Sequence, residues 1–167
     1  CISLNSQAQN SNQYKDPTTL EYIERYKHIA LEHETTHKIP ACITLAQGIL
    51  ESGSGTSRLA KEANNHFGIK CHNWAGAKMF YDDDKKNECF RRYASAEESF
   101  RDHSDFLRYR DRYKFLFDLD PTDYKGWAHG LRKAGYATDP SYPQKLIKLI
   151  EDYDLHRFDS LKKVPEE

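Results

Sequence analysis

The amino-acid sequence predicts one mainly helical α+β domain carrying a single small β-hairpin, and three observations point to it. Apolar residues recur at helical spacing along most of the chain. Two short runs, Lys78 to Tyr81 and Glu88 to Tyr93, have the β-prone composition of hairpin strands, with a charged tip between them. The 167 residues suffice for one sizeable core and are too few for two. The expected order is helices, a minute sheet, then helices again.

Residues 1–15 are polar and aperiodic and are expected to form a disordered leader or tether. The opening CISLNSQAQNSNQ admits three readings. It is the end of a secretory signal with a small-residue cleavage site near Ala8, or Cys1 is the lipid anchor of a mature lipoprotein, or the boundary has no functional meaning. The first two imply export. Order begins at Asp16, which can cap a helix with Pro17 in its first turn, followed by Leu20, Ile23, Tyr26 or Lys27, and Ala30 at helical spacing. A second helix opens after Pro40. Its residues Cys42, Ile43, Leu45, Ala46, Ile49 and Leu50 cover about half the circumference, too wide for a surface helix, and leave Thr44, Gln47 and Glu51 as a polar stripe that suggests a cleft wall.

A short helical turn over Ser57 to Ala63 is followed by Asn64 to Lys70 and Cys71 to Gly76, which read as loop and strand, and then by the hairpin. Ser95 to Glu98 has capping-box spacing and opens a helix with Phe100, Phe106 and Leu107 on its apolar face, continued by Tyr113 and Phe115 to Leu119. Helices around Tyr124 to Ala134 and Ser141 to Tyr153 complete the domain, 16–158, and 159–167 reads as a polar tail.

The 25 basic and 26 acidic residues nearly cancel, so no global field recruits nucleic acid. No window holds the eighteen or so apolar residues that span a bilayer, so no integral membrane segment is expected. The eight His are scattered and no Cys/His group has zinc spacing, which argues against a metal or other cofactor. Cys71 and Cys89 flank the hairpin, and their pairing would suit an oxidising compartment, whereas Cys42 falls on an apolar face as a buried thiol. Aromatic residues make up 13%, with 11 Tyr, which suits a carbohydrate or peptide groove as well as a core. A monomer is expected.

Glu51 is the chief catalytic candidate. It stands where the apolar helix runs out into Gly53 and Gly55, residues able to take the left-handed conformation that stops a helix. The unpaired carbonyls there, with partial burial, would raise its pKa and keep a proton for general acid work. A solvated Glu in a frayed turn is the bland alternative.

The strings LAQGILESGSGTSRLAKEANNHFGIK, CHNWAG, ECFRRYASAEESFRDHSDFL and GLRKAGYATDPSYPQKL, in that order, resemble the glucosaminidase family of bacterial peptidoglycan hydrolases, glycoside hydrolase family 73, over about Pro17 to Leu155. The resemblance implies a lysozyme-like fold with a groove between a helical and a hairpin lobe. It also implies cleavage of the β-1,4 bond between N-acetylglucosamine and N-acetylmuramic acid in peptidoglycan glycan strands. It puts the catalytic acid on Glu51, with Gln47 beside it on the polar stripe. Asn65 and Phe67 fall in a groove-lining loop, Trp74 on an aromatic that stacks on sugar or plugs the lobe junction, and Tyr136 on a tyrosine facing the acid. The family's second acid lies on the hairpin; here Asp84, then Asp83, then Glu88 are the candidates, since no register selects one. Two departures stand out. Ser54 replaces the Trp common after the LESG motif, and the hairpin is shorter than in flagellar members.

Overall fold

A computed structural model of the chain describes residues 14–161. Asp16 caps α1 (Pro17–His37) by accepting from Thr18 N at 2.9 Å. The buried stripe of α1 is Thr19, Tyr22, Ile23, Ala30, His33 and His37, one position round from the stripe expected, which leaves Leu20 39% exposed. α2 (Ala41–Ser52) is the axis of the core and is buried along almost its whole length. It packs against α1, α5 (Tyr124–Lys133), α6 (Tyr142–Asp152) and a 3₁₀ turn at Leu155–Phe158.

The N-terminal N–H groups of α2 point into protein and need acceptors. Glu34 Oε1 takes Ala41 N at 3.1 Å, and Asp159 Oδ1 takes Cys42 N at 2.9 Å. The other Glu34 oxygen accepts from Ser160 N at 3.1 Å. Asp159 and Ser160, the start of the segment read as a polar tail, are therefore pinned to the core.

Ser57 caps α3 (Arg58–Ala63), and β1 (Lys78–Tyr81) pairs antiparallel with β2 (Glu88–Arg91), Met79 opposite Phe90. The hairpin rests on α3 through Met79 and Phe90 against Leu59 and Ala63. Residues 71–76, expected to include a strand, instead turn back on themselves, Trp74 N donating to Cys71 O at 2.8 Å, and the Cys71–Cys89 disulfide ties this loop to β2. Ser95 caps α4 (Ala96–Tyr109), Glu98 N donating to Ser95 Oγ at 3.3 Å, while the Glu98 side chain reaches back one residue past the N-cap and accepts from Ala94 N at 3.1 Å. The stretch after α4 is a 3₁₀ segment, Asp111–Asp118, which buries Tyr113 and Leu116 and leaves Phe115 exposed. No helix among the described residues is long and apolar enough to cross a membrane.

Candidate active site

Glu51 lies in the last turn of α2, and the backbone beyond it is firmly closed. Gly53 takes φ +55° and its N–H returns to Ile49 O, as does Ser54 N at 3.0 Å. Ser52 Oγ donates to Gly48 O at 2.6 Å and accepts from Gly55 N at 2.8 Å. The free carbonyls invoked to raise the Glu51 pKa are thus partly satisfied. Crowding by protein takes their place: although water reaches the side chain, burial is the largest cause lifting its pKa to about 7, and the charge of Asp83 adds to it. A hydrogen bond from the Tyr142 hydroxyl opposes both. Gly68, at φ +67°, brings the 64–70 loop so close that a Cβ there would lie 3.8 Å from Glu51 Oε2.

Tyr142, at the first position of α6, is the site residue that sequence reasoning missed. Its hydroxyl accepts from Gln47 Nε2 at 2.9 Å, and Gln47 Oε1 lies 2.9 Å from His103 Nε2. Burial holds the His103 pKa down to about 3, so the ring is neutral. With the Gln47 nitrogen committed to Tyr142, the imidazole hydrogen belongs on Nε2. Phe67 stacks on His103, ring centroids 3.8 Å apart. A buried chain from His103 through Gln47 and Tyr142 therefore ends on the Glu51 carboxylate.

This arrangement corrects three expectations. Gln47 is 0% exposed and both its polar atoms are used, so it supports Tyr142 and does not face a groove. Asn65 is 1% exposed, donating to Ile69 O and Arg91 O and accepting from Ile69 N, which makes it the brace of its loop. Phe67 is buried against His103 and Phe100. A polar residue inside a core must find partners, and sequence spacing alone does not reveal that these had found them.

Tyr136 stacks on Tyr142 with centroids 5.9 Å apart, and its hydroxyl is buried with no acceptor among the described residues. Burial, then the charges of Tyr142 and Glu51, push its pKa well above the usual phenol range. Asp139 accepts from Ser141 N at 2.8 Å just ahead of α6. Trp74 is half-buried, with Nε1 donating to Ala77 O at 3.0 Å and the Arg91 guanidinium 4.7 Å from its ring.

The hairpin acids separate by environment. Asp82 accepts from Asn87 N at 2.6 Å within the turn. Glu88, its side chain 10% exposed, is paired with Lys70 at 2.6 Å. Asp84 is exposed and acts electrostatically on Lys70. Asp83, equally exposed, acts electrostatically on Lys70 as well and also on Glu51. A cavity of about 880 Å³ near Lys38, Arg108 and Trp127 does not include Glu51.

A family model described as glucosaminidase, mannosyl-glycoprotein endo-beta-N-acetylglucosaminidase, matches residues 27–155. The chain belongs to the glucosaminidase family. Among its relatives in this family, exo-glucosaminidase LytG of Bacillus subtilis (strain 168) is 38% identical over 145 residues, covering 80% of this chain and 51% of LytG. Peptidoglycan hydrolase FlgJ of Vibrio cholerae serotype O1 is 33% identical over 129 residues, 70% of this chain and 38% of FlgJ. The chain thus spans about half the length of LytG and less of FlgJ. The catalytic domain of the autolysin Auto from Listeria monocytogenes superposes with a TM-score of 0.74 at 28% identity, covering 95% of this chain and 99% of that one. The glycoside hydrolase domain of Salmonella typhimurium FlgJ gives 0.67 at 29% identity, covering 81% and 88%. The lysozyme-like architecture expected from the sequence is therefore the glucosaminidase architecture.

Proposed function

We propose that this domain is an endo-β-N-acetylglucosaminidase of peptidoglycan that hydrolyses the β-1,4 bond between N-acetylglucosamine and N-acetylmuramic acid, with Glu51 as general acid. The observation that carries the reading is a carboxyl group reachable from solvent yet lifted to about 7, in a chain of the glucosaminidase family. A glycosidic oxygen is a poor leaving group, and only an acid still protonated near neutrality can donate to it as the bond breaks. The relatives named peptidoglycan hydrolase and autolysin support the polymer as substrate.

Glu51 passes its proton to the bridging oxygen, the bond from that oxygen to the anomeric carbon breaks, and positive charge develops on the ring. Asp83 takes a proton from a water molecule whose oxygen bonds to the anomeric carbon. Attack from the face opposite the leaving group inverts the configuration. The polymer lies outside the cytoplasmic membrane, which agrees with the Cys71–Cys89 disulfide.

Mass spectrometry of digested wall tests the proposal. Fragments with a reducing N-acetylglucosamine end support it; anhydromuramic ends would make the enzyme a lytic transglycosylase, and release of single terminal sugars alone would make it exo-acting. NMR of the first-formed anomer distinguishes inversion from retention. A zymogram in which Glu51→Gln lyses wall as well as the parent protein would remove Glu51 from the acid role.

A further inference from the structure

A row of rings leads away from Glu51. Tyr142, bonded to the carboxylate, stacks on Tyr136, and Tyr136 meets Tyr113 and Phe106 edge-on at 6.2 and 6.4 Å. Two guanidinium groups close the far end. Arg110 lies 3.8 Å from the Phe106 centroid, and Arg112 lies 4.9 Å from that of Tyr113. Arg112 also reaches toward Gly135, the neighbour of Tyr136, where a Cβ would stand 3.9 Å from its Nη1.

Arg110 opens onto a concavity of about 620 Å³ shared with Arg91, His72, Trp74 and Asp111. Arg91 is held there by Asp102 at 3.0 Å and by its Nε donating to Lys70 O at 3.0 Å. That pair is neutral as a unit. Arg110 and Arg112 have no ion-pair partner among the described residues, and Asp111 is the only carboxylate lining the concavity. Their mutual repulsion is real: burial first, then Arg112 and Arg91, lower the Arg110 pKa, and the cations Arg110, Arg91, Arg112 and Lys70 add to burial in lowering that of His72. Asp111 lines the concavity and the charge of Asp102 partly offsets the repulsion on Arg110, but neither forms an ion pair with Arg110 or Arg112, and a bound anion would offset what is left. The arginines are also aimed: stacking on Phe106 and Tyr113 fixes their planes before a ligand arrives.

We propose that this concavity is a subsite for the free carboxylates of the murein stem peptide, so that the enzyme prefers peptide-bearing strands to bare glycan. The proposal rests on the reading of the domain as a peptidoglycan hydrolase. Within that substrate the sugar rings are themselves neutral; an intact stem peptide presents free carboxylates, whereas removing it with an amidase leaves each muramic acid only the single carboxylate of its lactyl group, close to the ring. A planar guanidinium meets a carboxylate with two parallel hydrogen bonds, and the half-buried Trp74 indole beside it offers an apolar face to the peptide or the adjoining sugar.

The test compares kcat/KM on two substrates made from one wall preparation: strands with their peptides, and the same strands stripped by an amidase and then capped at the freed lactyl carboxylate as the methylamide, so that the bare glycan is neutral. The unaltered enzyme is expected to favour the peptide-bearing strands by about fivefold, the sum of two partly solvated ion pairs. The preference lies in KM, because the arginines are remote from the reacting atoms, and it shrinks as salt is raised. In the double variant R110Q/R112Q the ratio falls to about one. Treating the wall with acid to remove phosphate-bearing polymers leaves the preference intact if carboxylates are the ligand; loss of the preference on that treatment overturns the assignment. Equal use of both substrates by the unaltered enzyme, or an unchanged ratio in the variant, overturns it as well. Failure to cut either substrate would instead overturn the enzymatic reading. If circular dichroism shows the double variant unfolded, Arg110→Gln alone decides, since Arg110 lines the concavity: a ratio about halved supports the subsite, and an unchanged ratio refutes it.

Discussion

Replacing Tyr142 with Phe removes one oxygen atom from the site and should move the pH profile in a direction fixed by the structure. The Tyr142 hydroxyl donates to the Glu51 carboxylate and so favours its charged form. A hydrogen bond to a charged acceptor contributes about 1.5–3 kcal/mol when buried. Because water also reaches Glu51, the lower end applies, about 1.4 kcal/mol, which is one pKa unit. Activity requires Glu51 protonated, so kcat/KM should fall as pH rises through about 7 in the parent enzyme. In Tyr142→Phe the carboxylate loses its donor, its pKa rises, and the alkaline limb moves up by about one unit. The same change strands the Gln47 amide in the core, at a cost of about 1–3 kcal/mol, and lowers Tm by roughly 5 °C. The assay is the rate on soluble glycan fragments between about pH 5 and 9, the range that brackets the expected limb. An alkaline limb that stays in place or moves down would refute both the role of Tyr142 and the assignment of the limb to Glu51.

Glu51→Gln should reduce turnover by about a thousandfold. Because the folded pKa is raised above the unfolded value of 4.5, the charge destabilises the fold fully above about pH 7 and not at all below 4.5. The variant should therefore gain about 1 kcal/mol, after discounting for solvent contact, at pH 8 and nothing at pH 4, as thermal unfolding at the two pH values would show. Asp83→Asn removes a negative charge that raises Glu51, so any residual activity should have its alkaline limb displaced downward, opposite to Tyr142→Phe. Asp84→Asn should leave kcat within about twofold, and a larger loss than for Asp83→Asn would exchange their roles. Replacing Cys71 and Cys89 by Ser opens a loop whose ends are 18 residues apart and should cost about 3 kcal/mol; unchanged thermal unfolding would show that the pairing contributes nothing.

The caps and the central helix were legible in the sequence because each depends on a few adjacent residues. Asp16 and Ser95, read as caps from their spacing, each accept from the first turn of their helix. The broad apolar girth of 41–50 could only belong inside. What escaped depends on partners distant in sequence. Glu34 reads as a surface residue of α1 until the chain returns with Ala41 and Ser160. Gln47 and Asn65 read as groove residues because an unaccompanied polar side chain is assumed to want water, yet each had its full complement of partners 4 to 95 residues away. Tyr142 was passed over because a tyrosine at the start of an apolar helix is usually core. It is core, and its hydroxyl is the one part that matters to Glu51. Which hairpin acid would act electrostatically on Glu51 was not legible, since three consecutive Asp at a turn give no register to choose by.

The environment of Glu51 balances opposed effects, and the balance explains why so much buried polarity surrounds one accessible acid. Crowding alone would push the proton's release far above neutrality and leave an acid too weak to protonate a departing oxygen; a fully hydrogen-bonded carboxylate would be ionised and have nothing to give. Burial supplies the upward push, Tyr142 the restraint, and the outcome lies near 7. The restraint is only as reliable as the hydroxyl's orientation. That orientation is fixed two residues back, where neutral His103 donates to Gln47 and leaves the amide nitrogen directed at Tyr142. Were His103 free to turn, Gln47 could rotate its amide and present its oxygen to Tyr142, whose hydrogen would then leave Glu51. Phe67, stacked on the imidazole at 3.8 Å, blocks that rotation. A loop residue expected to contact sugar thus acts on the acid through three side chains, and Phe67→Leu should broaden the alkaline limb where Tyr142→Phe displaces it.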